Sequence, residues 1–74
     1  MNFSMSRHAE SRASERGIPR STVSRTLGGG KPTHGNMRGD VAFTRSLPNG
    51  RINVVVATIS DFTGQPLVKT TYWK

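Results

Sequence analysis

The sequence predicts an α+β fold: two N-terminal helices packed on a three- to four-stranded antiparallel β-meander. Three observations predict it. Before position 28 the apolar residues recur four apart, as Met5, Ala9 and Ala13 and then as Val23 and Leu27. From Asp40 onward they alternate or cluster with β-branched neighbours, most densely in Ile52 to Ile59 (INVVVATI). Between the two patterns stands Gly28-Gly29-Gly30, which ends any helix. With 74 residues, the chain is read as one domain, 1–74. A chain of this size buries only roughly 60% of its unfolded surface, so its stability margin is small.

Each element has its own signal. Ser6 is a good N-cap for a first helix running to about Arg16, and Gly17 sits where a C-cap glycine belongs. Beside the apolar row lies a second row, His8, Arg12 and Arg16, at the same spacing. Burying the apolar row on a sheet leaves this cationic row along the sheet edge. Pro19 suits the start of a second helix, about Pro19 to Leu27. Gly28 to Gly39 (GGGKPTHGNMRG) reads as loop, carrying Lys31, His34 and Arg38. Its GGGK resembles a phosphate-binding loop, but the GxxxxGK[ST] spacing is absent.

The first strand alternates Val41, Phe43 and Arg45 with Ala42, Thr44 and Ser46. Leu47-Pro48-Asn49-Gly50 is a hairpin turn. Ile52 to Ile59 is the central strand, and Ser60 to Pro66 a second turn with Thr63-Gly64. Leu67 to Tyr72 is the last strand. Strict alternation puts Val68, Thr70 and Tyr72 on one face, and Lys69, Thr71 and Trp73 on the other.

Charge narrows the function. Eleven Lys and Arg face four acids, a net charge of +7. Arginine dominates, and its fork binds phosphate bidentately where lysine is a point charge. The balance favours a nucleic-acid partner. With no cysteine, disulfides, thiolate zinc sites and a cysteine nucleophile are excluded. The scattered acids and two histidines give no metal-ligand spacing, and no G-x-S-x-G is present. No apolar run reaches the ~18 residues of a membrane span, so no membrane anchor is expected. No cofactor is expected either.

Two resemblances compete. Ala13 to Leu27 (ASERGIPRSTVSRTL) looks like the turn and recognition helix of repressor-type helix-turn-helix proteins, with Ser21, Thr22 and Arg25 facing DNA. The second covers most of the chain. Ser6, His8-Ala9, Arg12, Glu15-Arg16-Gly17-Ile18, Val23, Leu27, Gly30, Val54-Val55-Val56 and Thr70-Thr71-Tyr72-Trp73 form a pattern similar to small toxin domains of the barnase/EndoU/colicin/RelE-like (BECR) ribonuclease superfamily. That resemblance implies a metal-independent endoribonuclease toxin cleaving RNA, tRNA among its targets. It also implies an acidic immunity protein or antitoxin as partner. The expected place of action is the cytoplasm of a target or producing bacterial cell, with delivery as the C-terminal tip of a larger effector.

Cleavage of this kind needs a base for the ribose 2′-OH, an acid for the leaving 5′ oxygen and cations for the phosphorane. Histidine serves either proton role near neutrality. The resemblance therefore makes His8 the general acid/base and Arg12 the phosphate ligand, with Thr70 and Tyr72 completing the site. Arg16, Lys31, Arg45, Arg51 and Lys69 are the expected RNA-binding cations, and His34 is a second candidate acid. A basic RNA-binding module without activity is the third reading that composition allows.

Overall fold

A computed structural model describes residues 3–34, 39–59 and 63–74. Arg38 of the expected loop and Ser60 to Phe62 of the second expected turn lie outside them, as does the side chain of His34. The elements are β1 (Ser4–Met5), α1 (Arg7–Glu15), α2 (Arg20–Gly29), β2 (Lys31–His34), β3 (Asp40–Ser46), β4 (Ile52–Ile59) and β5 (Pro66–Trp73). They form one five-stranded sheet in the order β1-β5-β4-β3-β2, with the helices packed on β3, β4 and β5.

This corrects the predicted architecture. The sheet is mixed and five-stranded, because β1 precedes the helices and pairs in parallel with β5. The helices lie between strands in the chain; they do not both precede the sheet. A two-residue strand is too short for alternation to reveal. Its hydrogen bonding continues through the Ser6 N–H, which donates to the Val68 carbonyl at 3.0 Å. The second correction is β2, which occupies part of the expected glycine loop and pairs antiparallel with β3. Pro32 made that stretch read as loop, but an edge strand has one side where a missing N–H costs nothing.

The helices follow their caps. Ser6 Oγ accepts from the Ala9 N–H at 3.1 Å, as an N-cap should. Gly17 has φ 64, the left-handed conformation that ends α1. Helix α2 runs through Gly28 and Gly29 and stops at Gly30. There the backbones crowd: a β-carbon on Gly30 would overlap the Thr26 carbonyl and stand 3.0 Å from the Thr44 carbonyl oxygen. The expected hairpin turn forms at Leu47–Gly50, closed by Gly50 N–H to Leu47 O at 2.9 Å and Leu47 N–H to Arg51 O at 2.8 Å.

The core lies between the helices and one sheet face. Ala9 and Ala13 of α1, Ile18, and Val23 and Leu27 of α2 meet Val55, Ala57 and Val68. Phe3, Met5, Phe43 and Trp73 pack around them. The other sheet face has no helix over it, yet Val54 there is buried by its own neighbours.

Within the core lies a closed polar network. The Thr26 hydroxyl donates to Asn53 Oδ1 at 2.7 Å. Asn53 Nδ2 donates to Thr71 Oγ1 at 3.0 Å and to the Tyr72 carbonyl at 3.2 Å. The Thr71 hydroxyl donates to the Val54 carbonyl at 2.9 Å. All three side chains are fully buried, and the network ties α2 to β4 and β5. Asn53→Ala leaves two hydroxyls short of partners and opens a cavity, so it should lower unfolding free energy by about 2–4 kcal/mol. Urea titration of the two proteins measures this; a loss below about 0.5 kcal/mol, the level of a neutral surface change, would contradict it.

Candidate active site

The last strand departs from simple alternation, and the candidate site depends on that. In β5, Thr70 pairs with Val56 and Val68 with Ala57, leaving Lys69 as an unpaired bulge residue. Val68 therefore shares the helix-covered face with Thr71 and Trp73. Thr70 and Tyr72 face the open side. This corrects the expected grouping: Val68 leaves Thr70 and Tyr72 for the face of Thr71, Lys69 leaves Thr71 and Trp73 and reaches Asp40, and Thr70 and Tyr72 share a face as expected.

The hydrogen-bond phase shows which way the backbone points. The Lys74 N–H donates to the Ile52 carbonyl at 2.9 Å, which marks Ile52 and Lys74 as a hydrogen-bonded pair. Tyr72 and Thr70, two and four residues back, then bond toward β4. Thr71 and Trp73 point their N–H and C=O groups away from it. β1 covers β5 only as far as Val68, so the edge beyond is open.

Helix α1 lies over this edge strand. Its N-cap Ser6 stands by Lys69, with Oγ 3.5 Å from the Lys69 carbonyl oxygen. Its end is held by two bonds: Arg16 Nη1 donates to the outward Thr71 carbonyl at 2.8 Å, and Trp73 Nε1 donates to the Arg16 carbonyl at 2.7 Å. Arg16 reaches the edge of β5, and its spacing puts it on one stripe of α1 with Arg12 and His8. His8 is exposed and has no partner among the described residues. Arg12 is bonded to Glu15 at 2.9 Å, an exposed pair worth only ~0.3–0.5 kcal/mol.

The structure thus brings His8, Arg12 and Arg16 into one row. Thr70 and Tyr72 lie on the opposite face of the strand along which that row runs. No hydrogen bond or ion pair among the described residues joins the two sets. The Tyr72 side chain has no hydrogen-bond partner among the described residues, and the residue is 39% exposed. A shallow depression of about 250 Å³ lies on the other flank of α1, lined by Met5, Glu10, Ala13, Ser14, Ile18 and Arg20. None of the candidate catalytic side chains borders it.

The predicted RNA-binding cations divide into free and engaged. Lys31 is exposed on the edge strand β2 without a partner. Arg45 Nη1 donates to the Arg25 carbonyl at 3.1 Å, in the last turns of α2. Arg51 stacks on the Trp73 ring, 4.0 Å from its centroid. Lys69 stands 3.4 Å from both oxygens of Asp40, whose carboxylate also accepts the Thr58 hydroxyl at 2.6 Å. Sequence reasoning missed Asp40, Asn53 and Thr26. An acid at the first position of a strand carries no signal of its own, and the lysine that answers it lies 29 residues away.

The chain matches no protein-family model, and comparison with curated proteins and with solved structures finds no match. Among the described residues, no helix is long and apolar enough to cross a membrane.

The Thr58 hydroxyl holds the Asp40 carboxyl below its ordinary value of 3.8; burial opposes this, and Lys69 adds to the lowering. A lowered carboxyl stabilises the fold above about pH 4, and that stabilisation fades as pH falls through the lowered value. Asp40→Asn should therefore be less stable than the parent at pH 7, with the gap closing toward pH 2. Thermal unfolding of both proteins across that range is the check, and a gap independent of pH would contradict stabilisation by the carboxylate's contacts with Thr58 and Lys69.

Proposed function

We propose that this chain is a metal-independent endoribonuclease of toxin type, with its active centre at the open edge of β5. The observation that carries the reading is the unpartnered His8 at the head of a helical row whose last member, Arg16, bonds that edge. In the proposed reaction the ribose 2′ oxygen attacks phosphorus as His8 takes its proton. The P–O5′ bond breaks as the leaving 5′ oxygen takes a proton from solvent water, and His8 returns its proton to the solvent. The products are a 2′,3′-cyclic phosphate and a 5′-hydroxyl.

Arg12 supplies charge to the phosphorane, and Arg16 holds the strand edge and adds a second guanidinium. The Thr70 and Tyr72 hydroxyls are free to hold phosphate oxygens or to orient the 2′-OH. The resemblance to BECR ribonuclease toxins adds an acidic immunity protein or antitoxin as partner and cytoplasmic RNA as target, with delivery as the C-terminal tip of a larger effector. A second reading keeps α2 as a DNA reader, because Ser21 and Arg25 stand exposed on it. It predicts duplex binding that Arg25→Ala weakens. A non-catalytic RNA-binding module would bind RNA and leave it whole.

Mixed RNA incubated with the protein in excess chelator should be cut. His8→Ala should slow the cut by about 10²–10⁴-fold, the usual worth of a positioned acid or base, and Arg12→Ala should slow it as well. Both substitutions are at exposed or half-exposed positions, so circular dichroism should remain that of the parent. Undiminished cutting by both variants would remove the site, and no cutting by the parent would remove the enzyme class.

A further inference from the structure

The antiparallel register gathers charge at one end of the sheet. Lys31 pairs with Thr44, Arg45 with Asn53 and Asn53 with Trp73, so the start of β2, the end of β3, the start of β4 and the end of β5 lie side by side. Arg51 and Lys74 flank those last two; Arg16 caps α1 there through its carbonyl's bond with Trp73, and the Arg25 carbonyl, midway along α2, accepts from Arg45. Six of the chain's eleven Lys and Arg meet there: Arg16, Arg25, Lys31, Arg45, Arg51 and Lys74. Among the described acids, the nearest in the chain to any of the six is Glu15, and its carboxylate is bonded to Arg12. The opposite end holds Asp40, which draws Lys69 to itself.

We infer that this end of the sheet is a docking track for the phosphate backbone of single-stranded RNA, leading to the edge of β5. It rests on the proposed function only in taking nucleic acid as the partner. Lys31, Arg45, Arg51 and Lys74 stand in or next to four neighbouring strands, whose backbones lie about 4.8 Å apart. Four of the six are arginines, whose forks match phosphate oxygens. Their internal contacts fix them in place: Arg16 and Arg45 each spend one N–H on a carbonyl, and Arg51 lies over the Trp73 ring. A guanidinium has five N–H donors, so most remain for a ligand, already oriented. Trp73 is covered by Arg51 and bonded to Arg16, so it offers no platform for a base. Recognition at this end is therefore of backbone and independent of sequence. Arg16 belongs both to this track and to the His8 row, and links the two.

The test uses the full chain and a fluorescent single-stranded RNA methylated at every 2′ oxygen, which cannot be cleaved. Binding is followed by anisotropy across a salt series, and is read independently of catalysis. The triple variant Arg25→Gln, Lys31→Gln, Lys74→Gln removes three exposed side chains that hold nothing else in the described structure. It should lower the slope of log K against log salt by about 2, at ~0.7 per single-strand phosphate contact. Arg7→Gln, an exposed cation at the start of α1, should leave the slope unchanged. An unchanged slope in the triple variant would overturn the track. So would an Arg7→Gln loss equal, per charge, to that of the triple variant, since binding would then be diffuse. Displacement of the RNA by polyglutamate of equal charge, at equal concentration, would overturn RNA as the ligand and assign the surface to an acidic protein.

Discussion

Val68 and Thr71 are three residues apart, and both are fully buried on the helix side of the sheet. A regular strand cannot do this, because an odd separation puts two side chains on opposite faces. Val68 must face inward to meet Ala9 and Ala13, and Thr71 must face inward to bond Asn53. The Lys69 bulge reconciles the two demands. Everything at the candidate site follows from it. Thr70 and Tyr72 are turned out to the open face, the Thr71 carbonyl is turned to the edge, and Arg16 has a backbone oxygen to hold. The Asn53 network then keeps this half of β5 in place by gripping Thr71 and the Tyr72 carbonyl.

The arginines have a double part in so small a fold. With no disulfide and a thin core, the chain uses guanidinium groups as staples. Arg20 lies over the Phe3 ring at 4.4 Å and donates to the Phe3 carbonyl, tying the start of α2 to the chain just before β1. Arg45 bonds the Arg25 carbonyl of α2, Arg51 covers Trp73, and Arg16 bonds one carbonyl of the β5 edge. The two ring contacts, of Arg20 and Arg51, contribute about 0.5–1 kcal/mol each at exposed sites. An arginine on an open strand edge also discourages pairing with a second chain. A surface carrying +7 can thus be structured without neutralising that charge.

The helices and the three longest strands were legible in the letters. Ser6, Gly17 and Asn49-Gly50 carry local rules, and the four-residue spacing of Ala9 and Ala13 marks a buried helix face. The same spacing sets His8, Arg12 and Arg16 on one stripe of α1, of which Arg16 reaches the edge of β5. What escaped was non-local. β1 is two residues long and exists because β5 lies beside it. β2 looks like loop because Pro32 and the glycines dominate its composition, and β3 alone makes it a strand. The bulge was hidden because Thr70 and Thr71 are the same letter, and only Asn53 decides which one turns inward. Arg45, Arg51 and Lys69 read as free cations, because a carbonyl, a ring or a carboxylate distant in sequence leaves no local mark.

The central claim is that the edge of β5 directs a ribose hydroxyl at its own phosphate. The most direct measurement is the chemistry of the ends produced from a short RNA of defined sequence in excess chelator, read by phosphorus NMR. The account predicts a 2′,3′-cyclic phosphate on one fragment, a 5′-hydroxyl on the other, and no cut when the ribose at the scissile position is replaced by deoxyribose. A 3′-hydroxyl with a 5′-phosphate, or cutting at the deoxyribose position, would contradict it.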